Sequence, residues 1–180
     1  MTVANGFWIR PYEQDDFPAI AAYCLPEEQA IYTSLPVDVV AVSQANAEQR
    51  AFVVYDSGTL VGCFALSVPK GGKPYYAHER SVLFQSFSID SRQQKQGYAF
   101  RTLRELPNMA RQYYPEADEV ILTVHHTNIP AITLYQKAGF VDRGERFAGE
   151  HGEEWIFHLA LHKDRQGRKA ADRGYTSEIG

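Results

Sequence analysis

The sequence predicts an α/β fold of the α+β kind: a mixed, mostly antiparallel central sheet that contains one parallel strand pair and carries helices on both faces. Three observations lead there. Two strand-like segments, Ala51–Tyr55 and Leu60–Val68, are joined by the turn Asp56-Ser57-Gly58-Thr59, and a third strand at Val82–Ile89 continues the antiparallel succession. An amphipathic helical pattern separates Val82–Ile89 from the apolar run Glu119–Val124, which makes those two strands parallel neighbours. A second helical pattern, Asn128–Phe140, leads into a last pair of strands.

Taken in order, Phe7–Arg10 is a short strand stopped by Pro11, and Asp15 or Asp16 caps a helix running through Phe17, Ile20, Ala21, Cys24 and Leu25, with Pro18 in its first turn. Residues Glu27–Arg50 mix helix formers with a break at Ser34-Leu35-Pro36 and predict one or two short helices. After the hairpin, the loop Pro69–Lys73 leads through Tyr75–Arg80 to Val82–Ile89. That strand turns polar at Asp90–Gln96 and the turn ends at Gly97. Ala99, Phe100, Leu103, Leu106, Ala110 and Tyr113 then recur at helical spacing. Pro107 lacks the N–H that would pair with the Leu103 carbonyl, which predicts a kink or a break near Leu106. Asn128 caps the next helix, Pro130 lies in its first turn and Gly139 takes the left-handed position after its end. Val141–Arg146 and Glu154–Leu161 form the final strands across the turn Phe147–Glu153.

Length and composition place these elements in one domain, residues 1–162, followed by a charged tail, 163–180. The tail carries five basic and three acidic side chains, so the overall charge of −4 leaves the body at −6. A mildly acidic body suits a cationic small molecule, and no clustered positive patch points to nucleic acid. No basic-then-apolar leader and no membrane-length apolar run is present, so a cytoplasmic location without a membrane partner is the expectation. Cys24 and Cys63 are far apart, with no metal-type spacing, and are expected to be reduced, semi-buried thiols.

The turn after Val82–Ile89 carries the first functional reading. A helix start presents unpaired backbone N–H groups and the positive end of its dipole, and Gly97 lets a ligand approach the backbone closely. Strand, polar turn and helix in that order bind phosphate. The nucleotide-loop pattern GxxxxGK[ST] is absent.

With these elements placed, the chain resembles the GNAT N-acetyltransferases over roughly Phe7–Leu161. Gln94-Lys95-Gln96-Gly97-Tyr98-Ala99 matches the family's (Gln/Arg)-x-x-Gly-x-(Gly/Ala), and Asn128, Ala131, Leu134, Tyr135, Gly139 and Phe140 match its second half. The resemblance implies that the parallel strand pair is splayed and that acetyl-CoA enters between its strands. The backbone of Phe87, Ser88 and Ile89 would pair with the pantetheine arm, and the amides from Gln94 to Ala99 would hold the pyrophosphate. Asn128 and Ala131 would line the cofactor, with the Asn side chain positioning the pantetheine. Tyr135 would stand near the sulfur and serve catalysis by protonating the departing thiolate.

An alkylamine acceptor is protonated at neutral pH, so a base or a water chain must free its lone pair. Many relatives place a Glu on the strand before the pyrophosphate turn. This strand has none; its polar residues are Gln85, Ser86 and Ser88. The candidates are His125 or His126, of which at most one faces the cleft, and Glu79. The segments Gly144–Gly149 and Gly152–Phe157 resemble those of bacterial small-molecule and polyamine acetyltransferases. The implied activity is transfer of an acetyl group to a primary amine of a small molecule. Alternatives are a protein N-terminus or lysine as acceptor, or a CoA-binding module of weak activity. The acceptor groove is expected from Glu27–Arg50 and the loops Pro69–Tyr76 and Phe147–Gly152, and a homodimer is compatible with the family.

Overall fold

The computed structural model describes residues 6–69 and 79–161. Most of the loop 69–73 and the tail 163–180 lie outside them, as does most of the Pro69–Tyr76 part of the expected acceptor groove. A seven-stranded sheet runs β1(Phe7–Pro11), β2(Gln49–Asp56), β3(Thr59–Ser67), β4(Ser81–Ile89), β5(Glu119–His125), then β7(Gly152–Ala160) and β6(Val141–Gly149) at the far edge. Every neighbouring pair is antiparallel except β4 and β5. Helices α1(Phe17–Ala21), α2(Glu27–Ala30) and α3(Pro36–Ala45) precede β2; α4(Tyr98–Tyr113) links β4 to β5, and α5(Ile129–Lys137) follows β5. No helix among the described residues is long and apolar enough to cross a membrane.

Strand alternation divides the core. Phe52, Val54, Phe64 and Leu66 face one way and pack with Leu103, Leu106 and Ala110 of α4 and Ile132 of α5. Ala51, Val53, Cys63 and Ala65 face the other way, under Ile20 of α1 and Val39 and Val40 of α3. Helices therefore cover both faces of β1 to β3.

Four expectations need correction. The first helix stops at Ala21, short of Cys24 and Leu25, because those residues are drawn into tertiary bonds: the Cys24 N–H donates to Asp90 and its carbonyl accepts from Ser91 N–H. Cys24 is exposed rather than semi-buried. Of the kink or break expected near Leu106, the break does not occur: helix α4 continues through Pro107, since the buried stripe Leu103, Leu106 and Ala110 outweighs one missing hydrogen bond. The β6–β7 turn is shorter than Phe147–Glu153: pairing continues to Gly149↔Gly152, leaving Glu150 and His151 at the tip.

At the start of the chain, Asp16 is 3% exposed and accepts two hydrogen bonds from Arg10 (2.7 and 2.8 Å), one from Tyr55 Oη (2.9 Å) and one from Glu13 N–H (2.8 Å). Burial alone would raise its pKa, but these bonds outweigh that and hold the carboxyl below the usual carboxylate range. The folded value is below the unfolded one near 3.9, so the stabilisation is fully present above about pH 4 and is lost as pH falls through the folded value. Asp16→Asn is expected to cost about 2–3 kcal/mol at pH 7. Urea unfolding should show wild type and variant converging as pH drops below about 4.

Candidate active site

The parallel pair is where the sheet opens. β4 and β5 pair only at Ser81↔Glu119, Val82↔Val120 and Leu83↔Ile121, although β4 continues to Ile89 and β5 to His125. Beyond Leu83, the edge of β4 that faces β5 has no ladder partner, and Phe87, Ser88 and Ile89 stand on it. A bulge lies at the same end. Cys63 pairs with Ser88 but Ala65 with Gln85, so Ser86 and Phe87 share the place opposite Phe64, and Ser86 takes φ +54°. This bulge had no signal in the sequence, because Ser is not a residue that announces a left-handed backbone.

The turn from Gln94 to Ala99 follows directly. Lys95 (φ +63°) and Gly97 (φ +84°) are both left-handed, and α4 begins at Tyr98 without a side-chain cap. None of the amide N–H groups from Gln94 to Phe100 has a hydrogen-bond partner among the described residues. A Cβ at Gly97 would meet nothing within 4 Å. Such a concave run of free donors at the positive end of a helix fits a pyrophosphate. The Gln94 side chain bonds the Ile89 carbonyl (3.0 Å) and exchanges amide bonds with Gln29 of α2 (2.8 and 3.3 Å), so it braces the turn. Tyr98 points away, to Asp56 (2.7 Å), and contributes its N–H. Ala99 keeps the first helical turn small.

Below the turn, Asp90 is 1% exposed. Burial opposes its ionisation, yet bonds from the Arg92 side chain and from the N–H groups of Arg92 and Cys24 outweigh it and hold the carboxyl below its ordinary range. Together with Tyr23 Oη to Ser88 Oγ (3.0 Å), they lock the α1–α2 connection against the end of β4.

Across the opening stands α5. Asn128 caps it, its Oδ1 accepting the Ala131 N–H at 3.4 Å. Tyr135 packs edge-on against Phe84 and Phe140, and its phenol oxygen has no partner among the described residues. Burial pushes that phenol up to about 12. Tyr135 of α5 thus meets β4 through Phe84, whose ring also packs against Phe87 at the unpaired edge.

The base candidates do not all converge. Glu79 precedes the paired end of β4, roughly 25 Å of strand from Phe87, and is out of the opening. His126 is exposed and lies against His125, ring centroids 4.7 Å apart. His125 engages Thr127 and the His151 carbonyl. A cleft of about 510 Å³ lies beside this end of the sheet, lined by the α2–α3 connection, Asp38, Ser86 and His151. Among the described residues Asp38 is its one carboxylate, and its side chain has no hydrogen bond or ion pair to another of them. The sequence marked this region only as a groove. Its individual residues come together through tertiary contacts.

The acetyltransferase (GNAT) family profile matches residues 9–140. The chain belongs to this family. It is thus an acyltransferase, and its splayed sheet is the GNAT fold. It is 32% identical over 151 residues, 83% of its length and 94% of the relative's, to YbbJ of Bacillus subtilis (strain 168), described as an uncharacterized N-acetyltransferase. Among solved structures it is similar to aminoglycoside acetyltransferase AAC(6')-Ib with coenzyme A and kanamycin (TM-score 0.71, 14% identity, 86% of this chain and 95% of that one). It is also similar to spermidine N-acetyltransferase from Vibrio cholerae with CoA and spermine (TM-score 0.60, 22% identity, 86% and 95%).

Proposed function

We propose that this GNAT protein transfers the acetyl group of acetyl-CoA to a primary amine of a small molecule. The observation that carries it is the run of unpartnered amides from Gln94 to Phe100, set at the end of a parallel strand pair that separates after Leu83. The amides of that turn would hold the pyrophosphate, the free edge at Phe87–Ile89 the pantetheine, and Asn128 and Ala131 the opposite wall. The bound cosubstrate supplies an acyl thioester. Tyr135, protonated up to about pH 12, donates a hydrogen bond toward the sulfur as negative charge develops there. The similar proteins named for spermidine and aminoglycosides act on amines, which supports the same acceptor class here. Two unpaired cysteines suit a reducing cytoplasm.

The test is calorimetry with acetyl-CoA, followed by CoA release against panels of small amines and of peptides. Saturable binding with turnover only on small amines is expected; absence of binding, or turnover confined to peptides, would falsify the reading. Asp38 gives the acceptor a charged wall. Asp38→Asn is expected to raise KM for a diamine by about fivefold, the upper end of what an exposed ion pair contributes. Its kcat should change little.

A further inference from the structure

Three connections meet at the mouth of the cleft, and one imidazole joins them. His125 Nε2 lies 3.0 Å from the His151 carbonyl in the β6–β7 turn. A carbonyl only accepts, so Nε2 carries the ring proton. The Thr127 N–H reaches Nδ1 at 3.2 Å, and an amide only donates, so Nδ1 keeps its lone pair. The Thr127 hydroxyl, 2.7 Å from that nitrogen, therefore donates to it. Its oxygen in turn accepts from the Tyr32 phenol, 3.3 Å away. Tyr32 lines the cleft together with Ser86, which stands at the bulge of β4. The donor directions run one way, from the cleft to His125.

We infer that His125 is the proton acceptor for the amine, reached through Tyr32 and Thr127; this rests on the acetyl-transfer reading above. Tyr32 touches the ammonium group, and Thr127 and His125 act through it. One N–H bond of the ammonium breaks as its proton passes to the Tyr32 oxygen. The phenol proton moves to Thr127 Oγ1 and the Thr127 proton to His125 Nδ1, so both hydroxyls end unchanged and the imidazole becomes an imidazolium. The freed lone pair forms the C–N bond at the thioester carbonyl carbon and the C–S bond breaks. The second excess proton on nitrogen ends on the departing sulfur as a thiol, and the imidazolium returns its proton to water.

β4 carries no carboxylate, and this relay would serve in place of one. The ring is held by its surroundings: a Cβ at Gly152 would stand 2.8 Å from Nε2, so only glycine leaves room for the imidazole. Among the described residues, the titratable groups around it are Tyr32 from the α2–α3 connection (rings 5.8 Å apart), His126 on its own segment, His151 in the turn, and Glu154, its register partner on β7.

Tyr32→Phe keeps the ring against His125 and removes only the first hydroxyl. With a small amine that wild type acetylates, its kcat is expected to fall about tenfold at pH 7, within the range of acid–base assistance. The deficit should shrink toward pH 10, where the free amine no longer needs a base, with acetyl-CoA affinity and melting temperature unchanged. No deficit, or one equal at every pH, overturns the relay. Nitrogen-15 NMR of the wild-type imidazole supplies a readout independent of turnover: the Nε2–H tautomer is expected for His125, and the Nδ1–H tautomer overturns the donor chain. An enzyme that acetylates no amine removes both readings. One that acetylates amines with a pH-independent Tyr32→Phe deficit removes the relay alone.

Discussion

Tyr135→Phe is expected to lower kcat about a hundredfold, the usual effect of deleting one preorganised donor to developing negative charge. The phenol has no partner among the described residues, so its hydrogen is available to a ligand, while Phe84 and Phe140 fix the ring edge-on and would hold a Phe equally well. Burial pushes it up to about 12, well above an ordinary thiol near 8.5, so full transfer of its proton to a thiolate is uphill. Its expected contribution under the proposed function is a hydrogen bond to the sulfur, with the amine supplying the proton that makes the thiol. Two results should follow. Acetyl-CoA affinity measured by calorimetry should stay near the wild-type value, and the basic limb of the wild-type pH profile should not report this phenol below about pH 11. A large loss of affinity with unchanged kcat would make Tyr135 a packing residue of the cofactor wall instead.

The second large effect is expected at Gly97. Asn and Asp both tolerate the left-handed backbone found there (φ +84°), and neither would meet a neighbour within 4 Å at Cβ. The two variants should therefore fold alike, with melting temperatures close to each other. They differ in charge beside the unpartnered amides of Gln94 to Phe100. Gly97→Asp is expected to weaken acetyl-CoA about a hundredfold, roughly 2.7 kcal/mol of like-charge repulsion against the pyrophosphate, and Gly97→Asn only a few-fold. Equal losses in the two would mean that bulk alone matters at the turn. No loss in either would remove the pyrophosphate from this helix start.

Gly97 and Asn128 show why so much of the cofactor side was legible in the chain. A left-handed glycine before a helix, an Asn cap and a glycine after the helix end at Gly139 are local requirements of backbone geometry. Each leaves its mark within a few residues, and strand and helix periods do the same for β4, α4, β5 and α5. Pro107 is a local signal that did not break the helix, because the apolar stripe of α4 gains more from burial than one hydrogen bond is worth. The short α1 is another local signal with a different outcome: Cys24 continues the apolar spacing of the helix but is claimed by Asp90, 66 residues along the chain.

By itself, then, the sequence determined the order and direction of the strands, the helices between them and the turn suited to a pyrophosphate, since all of these follow from periods and caps read over short windows. Only the tertiary structure decided how far β4 and β5 stay paired, that Ser86 takes a bulge, and that Glu79 sits at the wrong end of its strand. It alone brought Tyr32 to Thr127, 95 residues away, and Asp38 to Ser86 across the cleft. Proton transfer and substrate charge depend on distances between side chains that lie far apart in the chain. No local pattern records such distances, which is why the cofactor was readable in the residues while the acceptor's surroundings emerged only from the fold.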